Sequence, residues 1–131
     1  MKERLVKVLL VAPKKHPAIV YMPAETICDI IVSTSEDCMG TQASKIAYDI
    51  YIIHSREGVL FNLQGNRRFQ NKIIIGLFFV VGADEQGRIR SLSEVEIAGY
   101  ESLFWEPEEF RYDELLSAYY ADKFEEFDEF V

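Results

Sequence analysis

Apolar runs broken by short polar clusters organise this chain, and their spacing separates strands from helices. Leu5 to Ala12 is a nearly continuous apolar run closed by Pro13 and the polar Lys14-Lys15-His16-Pro17, which predicts a buried first strand and a turn. Ala18 to Met22 predicts a short second strand. After Pro23, the spacing of Ile27, Ile30 and Ile31 behind an acidic first turn predicts a helix over Glu25 to Ser33. Ser33 to Ser44 reads as a polar loop and Lys45 to Ser55 as one strand. Arg56-Glu57-Gly58 then turns the chain into Val59-Leu60-Phe61, and Asn62 to Asn71, NLQGNRRFQN, reads as a second loop.

The most patterned stretch follows. Ile73 to Gly82 is rich in β-branched and aromatic residues and predicts one long buried strand. Asp84-Glu85-Gln86-Gly87 supplies turn chemistry, since Asp closes a local bond to the backbone and Gly accepts a positive φ, so Arg88-Ile89-Arg90 is expected to return as a hairpin. A calcium loop is the rival for these residues, but Gln86 and Arg88 stand where alternating oxygen ligands are needed. Ser93-Glu94-Val95-Glu96 has the form of a capping box and predicts a helix start. Near the end, Leu116, Tyr120, Phe124, Phe127 and Val131 fall on one side of a helical wheel, opposite Glu114, Asp122, Glu125, Glu126 and Glu129. Pro107, with Glu108 and Glu109 after it, marks the expected start of that amphipathic helix or a short turn before it.

These elements predict an α+β fold: a mostly antiparallel sheet of about four to five strands with two to three helices, the last one acidic and amphipathic. The chain has 131 residues, 49% of them hydrophobic, which suits one domain that buries roughly two-thirds of the surface its unfolded chain exposes. Two cysteines, Cys28 and Cys38, are too few for a disulfide framework, and Cys28 lies on an apolar segment where a core position is expected. No leader pattern precedes the first strand, and Leu5 to Ala12 is too short to span a bilayer, so the expected location is the cytoplasm.

Charge changes this picture at one end. Residues 1 to 93 hold 12 Lys and Arg against 9 Asp and Glu, whereas residues 94 to 131 hold 2 against 13. Such asymmetry calls for a cationic partner and turns that end away from direct contact with nucleic acid or an anionic membrane. Metal and thiol chemistry lack support, because Cys28, Cys38, His16 and His54 form no ligand spacing. There is also no nucleophile elbow and no phosphate-binding glycine fingerprint, so a non-catalytic protein without cofactor or metal is expected.

Two constellations remain. Asn66, Arg67 and Arg68, beside Phe69, suit bidentate capture of a phosphate or carboxylate on a loop; the plainer expectation is that these arginines pair with the acidic C-terminal helix. In that helix, Asp122, Glu125, Glu126 and Glu129 recur at i, i+3, i+4 and i+7, a repulsive arrangement of about 0.2–0.5 kcal/mol per neighbouring pair. An acidic solvated face is the plain reading. The sharper one notes that Asp113 to Glu129 holds seven carboxylates over about 25 Å of helix, on average one per roughly 3.6 Å, close to the roughly 3.4 Å phosphate spacing of one DNA strand.

KVLLVAP at Lys7 to Pro13, GNRRF at Gly65 to Phe69, and IIGLFFVVGADEQGRIRSLSEVEI at Ile74 to Ile97 resemble the small bacterial family catalogued as domain of unknown function 3846. The resemblance covers roughly Lys7 to Phe104. It implies a core over residues 1 to 104 and an acidic, aromatic-rich extension over residues 105 to 131 packed on it. The family has no established activity; the resemblance implies cargo of phages and mobile elements, often in the company of antirestriction genes.

The expected function is therefore binding of a host protein with a basic surface. Glu114, Asp122, Glu125, Glu126 and Glu129, anchored by Trp105 and Phe130, would occupy the nucleic-acid groove of a restriction or CRISPR effector. Two alternatives stand beside it. One is a small-ligand or nucleotide sensor using Arg67 and Arg68; the other is an oligomerising structural protein, a homodimer through the apolar stripe of the last helix.

Overall fold

The computed structural model describes residues 4–35, 41–55 and 64–128, with side chains described except at 32–35 and 122–128. The turn at Arg56 to Gly58, the strand Val59 to Phe61, Cys38, and Glu129 to Val131 lie outside the described residues.

Strand β1 (Leu5–Val11) pairs antiparallel with β2 (Ala18–Pro23) across the turn that Pro13 and Pro17 bound. Helix α1 (Ala24–Ser35) follows directly. The segment expected to be a polar loop and one strand is instead a hairpin, β3 (Thr41–Ala47) and β4 (Ile50–Ser55), joined through Tyr48 and Asp49. Its register shifts between Lys45 and Ala47, and this bulge breaks the alternation that would have marked β3 as a strand.

The expected loop around GNRRF is also corrected: β5 (Gly65–Phe69) pairs with β6 (Lys72–Ile75) as a separate two-stranded sheet. Gln70 and Asn71, at φ 49 and 66, make the two-residue turn between them, in the positive-φ form that matches strand twist. The long strand from Ile73 does not run through. Gly76, at φ 78, ends β6, and β7 (Phe78–Ala83) begins after it.

Strand β7 is the centre of the large sheet, whose order is β2-β1-β7-β4-β3, with β8 (Ile89–Arg90) pairing β7 beyond the Asp84–Gly87 turn. That turn forms as expected: the Asp84 carboxylate accepts from the amides of Gln86 and Arg88 at 3.0 and 2.8 Å, and Gly87 takes φ 77. Helix α2 (Glu94–Leu103) opens with the full capping box, Ser93 and Glu96 each satisfying the other's amide. Helix α3 spans Tyr112–Asp128, five residues past Pro107, with Asp113 and Glu114 in its first turn.

The alternation of β7 divides the core into two layers. Phe79 and Val81 face α1, packing with Val6, Val8, Ile53, Ile27 and Ile31. Phe78 and Val80 face the other way, with Leu9, Val11, Ile50 and Ile52, under α2 (Ile97), Phe104 and β6 (Ile74). The fold is thus α+β and mostly antiparallel, with three helices among the described residues and more strands than expected, because two polar stretches are strands rather than loops. Cys28 corrects its expected core placement: Ile27 and Ile31 hold the buried face of α1, and Cys28 is exposed beside Thr41.

Candidate functional site

The GNRRF stretch bends at its bulge. Gly65 pairs with Ile75 and Arg67 with Ile74, so the two consecutive residues Asn66 and Arg67 both turn inward. Asn66 Nδ2 donates to the carbonyls of Val11 and Gly76, each at 2.9 Å. Arg67 is 1% exposed. Its Nε donates to Phe104 O at 2.8 Å, its Nη1 to Asn66 Oδ1 at 2.8 Å and Asn66 O at 3.2 Å, and its Nη2 to Lys15 O. Burial pulls its pKa down, against the pull of Glu108 and Glu106. The anion site expected on Asn66 and Arg67 is therefore corrected: their donors are committed to carbonyls that tie together the end of β1, the β1–β2 turn, the β6–β7 link and the end of α2.

Arg68 has the opposite fate. It stays half-exposed, lies over the Phe110 ring at 5.3 Å, and reaches Glu108 and Glu114 at 3.8 Å each, while its amide donates to Glu108 at 3.2 Å. Of the two arginines, Arg68 alone makes an ion pair with the acidic segment among the described residues. Glu114 thus already has an internal partner. The remaining acids of the segment's start, Glu106, Glu109 and Asp113, are exposed, as are Trp105, Tyr112 and Tyr120.

Docking of α3 is local and steric. Gly65 has no side chain, and a Cβ there would stand 2.7 Å from Phe110 and 2.8 Å from Leu115, so both side chains lie against the β5 backbone. Leu115 is 4% exposed. The apolar stripe expected through Leu116 and Tyr120 is rotated accordingly: Leu115 is buried, Leu116 is half-buried, and Tyr120 is exposed. Upstream, His16 stacks on Trp105 with ring centroids 4.1 Å apart and donates from Nδ1 to Trp105 O at 2.6 Å. Asp122, Glu125 and Glu126 lie on α3 with undescribed side chains; Glu129 and Phe130 are outside the described residues.

Elsewhere, sequence reasoning missed three arrangements. Arg90 folds over Gly82, where a Cβ would meet its Nη1 at 2.6 Å, and bridges Asp49 at 2.7 Å and Glu96 at 3.0 Å. The Glu96 hydrogen bond raises the Arg90 pKa, and Arg90 holds the Glu96 carboxyl down at about 2. His54 donates from Nδ1 to Ser55 O at 2.9 Å, which leaves Nε2 to accept from Ser44 Oγ at 3.0 Å; burial lowers its pKa and keeps it neutral. Third, an open cleft of about 840 Å³ is lined by Lys45, Tyr48, Tyr51 and Ile53 from the β3–β4 hairpin and by Val81 and Ile89 from β7 and β8. The Ser44–His54 pair does not line it. No local spacing marks any of these, because each pairs residues brought together by strand register or helix placement.

Among the described residues no group of three or more His, Cys, Asp or Glu is arranged to hold a metal ion, and no helix is long and apolar enough to cross a membrane. Comparison with known families finds a match over residues 6–104 to the domain of unknown function DUF3846. The chain belongs to the DUF3846 family. The matched region ends at Phe104, the residue whose carbonyl Arg67 holds, so the DUF3846 region includes both halves of the Asn66–Arg67 lock. It also separates the charge: residues 1–104 carry 12 basic and 12 acidic residues, and residues 105–131 carry 2 and 10. Comparisons with curated proteins and with solved structures find no match.

Proposed function

We propose that this chain is a non-catalytic protein-binding protein of a phage or mobile element, whose acidic segment occupies the basic nucleic-acid groove of a host restriction or CRISPR effector. The supporting observation is the charge division: residues 1–104, which contain the DUF3846 region, hold equal numbers of acidic and basic residues, and the segment after Phe104 accounts for the whole net charge of −8. Part of that acidity is internal, since Arg68 holds Glu108 and Glu114. The partner-facing set is accordingly Asp122, Glu125, Glu126 and Glu129 with exposed Trp105, and Glu114 serves to seat the helix. Asp113 to Asp128 spans about 24 Å of helix, a length that suits a groove rather than a point contact.

The test is displacement of a labelled duplex from a panel of purified effectors. The intact chain should release DNA from its target, and the Asp122→Asn, Glu125→Gln, Glu126→Gln, Glu129→Gln variant should do so at least about tenfold less well, because rim charges set encounter and register. Undiminished displacement by that variant would remove the acidic helix from the function.

A further inference from the structure

The large sheet has two edges, and they are built differently. Strand β3 ends the sheet with a bulge and Lys45, devices that discourage another strand from pairing there. Strand β2, Ala18-Ile19-Val20-Tyr21-Met22-Pro23, has neither charge nor bulge, its one such device being Pro23 at its end, and it keeps unbroken register with β1 at all six positions from Leu5–Pro23 to Leu10–Ala18. Among the described residues no strand pairs with its outer side. On one face beside that edge, Ile19, Tyr21 and Leu5 are 43%, 63% and 57% exposed.

Charge decides what fits. From Arg4 to Ala24 the chain contains no carboxylate but four cations, Arg4, Lys7, Lys14 and Lys15. None of the four belongs to an ion pair among the described residues, whereas Arg68, Arg88, Arg90 and Arg111 all do. Arg4 stands next to the Leu5–Pro23 end of the hairpin, and Lys14 and Lys15 stand in the turn next to Ala18. A second copy paired antiparallel along β2 would bring Arg4 of each protomer to Lys14 and Lys15 of the other, three cations at each end of the ladder against the single exposed carboxylate of Glu25 just past Pro23.

We infer that the β2 edge binds an extended acidic segment of a partner protein by strand addition, with apolar side chains on Ile19 and Tyr21 and carboxylates toward Arg4, Lys14 and Lys15 at the two ends of the hairpin. The backbone ladder supplies affinity and the cations supply specificity. None of the residues invoked here belongs to the acidic segment, which touches this turn through the His16–Trp105 stack, and the test reads β2 alone, so failure of one proposal leaves the other standing.

The experiment uses the full chain and capped peptides of about eight residues, the length of an ordinary strand. One peptide alternates Val and Glu, the other Val and Lys. The Val/Glu peptide should slow amide exchange at alternate residues of β2 and bind about tenfold more tightly than the Val/Lys peptide, with the preference shrinking as salt rises. Lys14→Glu with Lys15→Glu, both exposed, should abolish or reverse the preference while the circular dichroism is unchanged. Equal binding of the two peptides, or exchange slowed away from β2, would overturn the inference. So would slowing of β2 exchange on raising the protein concentration alone, which would assign the edge to a second copy.

Discussion

Arg67 and Arg68 are adjacent and chemically identical, yet their costs of removal should differ several-fold. Arg67→Met leaves buried carbonyls of Phe104, Lys15 and Asn66 without donors and should cost about 2–4 kcal/mol, read as a lower denaturant midpoint at unchanged slope. Arg68→Gln breaks only exposed ion pairs and should cost about 0–1 kcal/mol in the same titration. Two further residues set the response to acid. The folded-state pKa of His54 lies below the ordinary 6.5, so its contribution is present above that pH and is lost as pH falls beneath it. Glu96 is held at about 2 against an ordinary 4.5, so its contribution is full above 4.5 and drains away down to about 2. Stability measured against pH should therefore fall in two limbs; His54→Gln should flatten the upper limb and Glu96→Gln the lower. A single limb below 4.5 in the unmodified chain would contradict the His54 assignment.

Elements whose signal is local were legible in the sequence. The Asp84–Gly87 turn, the capping box at Ser93 and the strand β1 each depend on residues within a few positions of one another, and each forms where the pattern puts it. The hairpins β3–β4 and β5–β6 were not legible. A bulge in each shifts the side-chain alternation by one residue, and the β5–β6 turn uses Gln70-Asn71 in place of a glycine-bearing pair. The docking of α3 likewise depends on a void rather than a group, the missing side chain of Gly65. Gly65→Ala should force Phe110 and Leu115 outward at a cost of about 1–3 kcal/mol. Amide exchange in the first turns of α3 should accelerate while that in β7 does not; unchanged exchange in α3 would mean that the helix is held by other contacts.

At the scale of the whole molecule, charge is separated along the chain, with cations around β1–β2 that make no ion pair among the described residues and the acidic excess after Phe104. Arg68 is the described point where the two regimes meet in an ion pair with α3. Opposite charge at separate places implies opposite salt-sensitive contacts. The proposed displacement of DNA, if it runs through the acidic segment, should weaken steeply between about 0.05 and 0.3 M salt as the Debye length shortens, whereas the stability of the chain, carried by the two apolar layers on β7, should change little. A displacement constant insensitive to salt would place the partner contact on the apolar side chains instead.

Composition and local pattern by themselves determined the α+β class, the first strand, the Asp84 turn, the capped helix α2 and the acidic character of the final helix. Those features follow from near-neighbour sterics, hydrogen bonding and hydrophobic periodicity, which act within a few residues. Tertiary structure decided which of two neighbouring arginines is buried, which face of α3 is covered, and which sheet edge lies open. Each depends on register, since one bulged residue turns Asn66 and Arg67 inward together and aims them at carbonyls as far away in sequence as Val11, Lys15 and Phe104. A long-range hydrogen bond of that kind leaves no periodic mark in the chain that makes it.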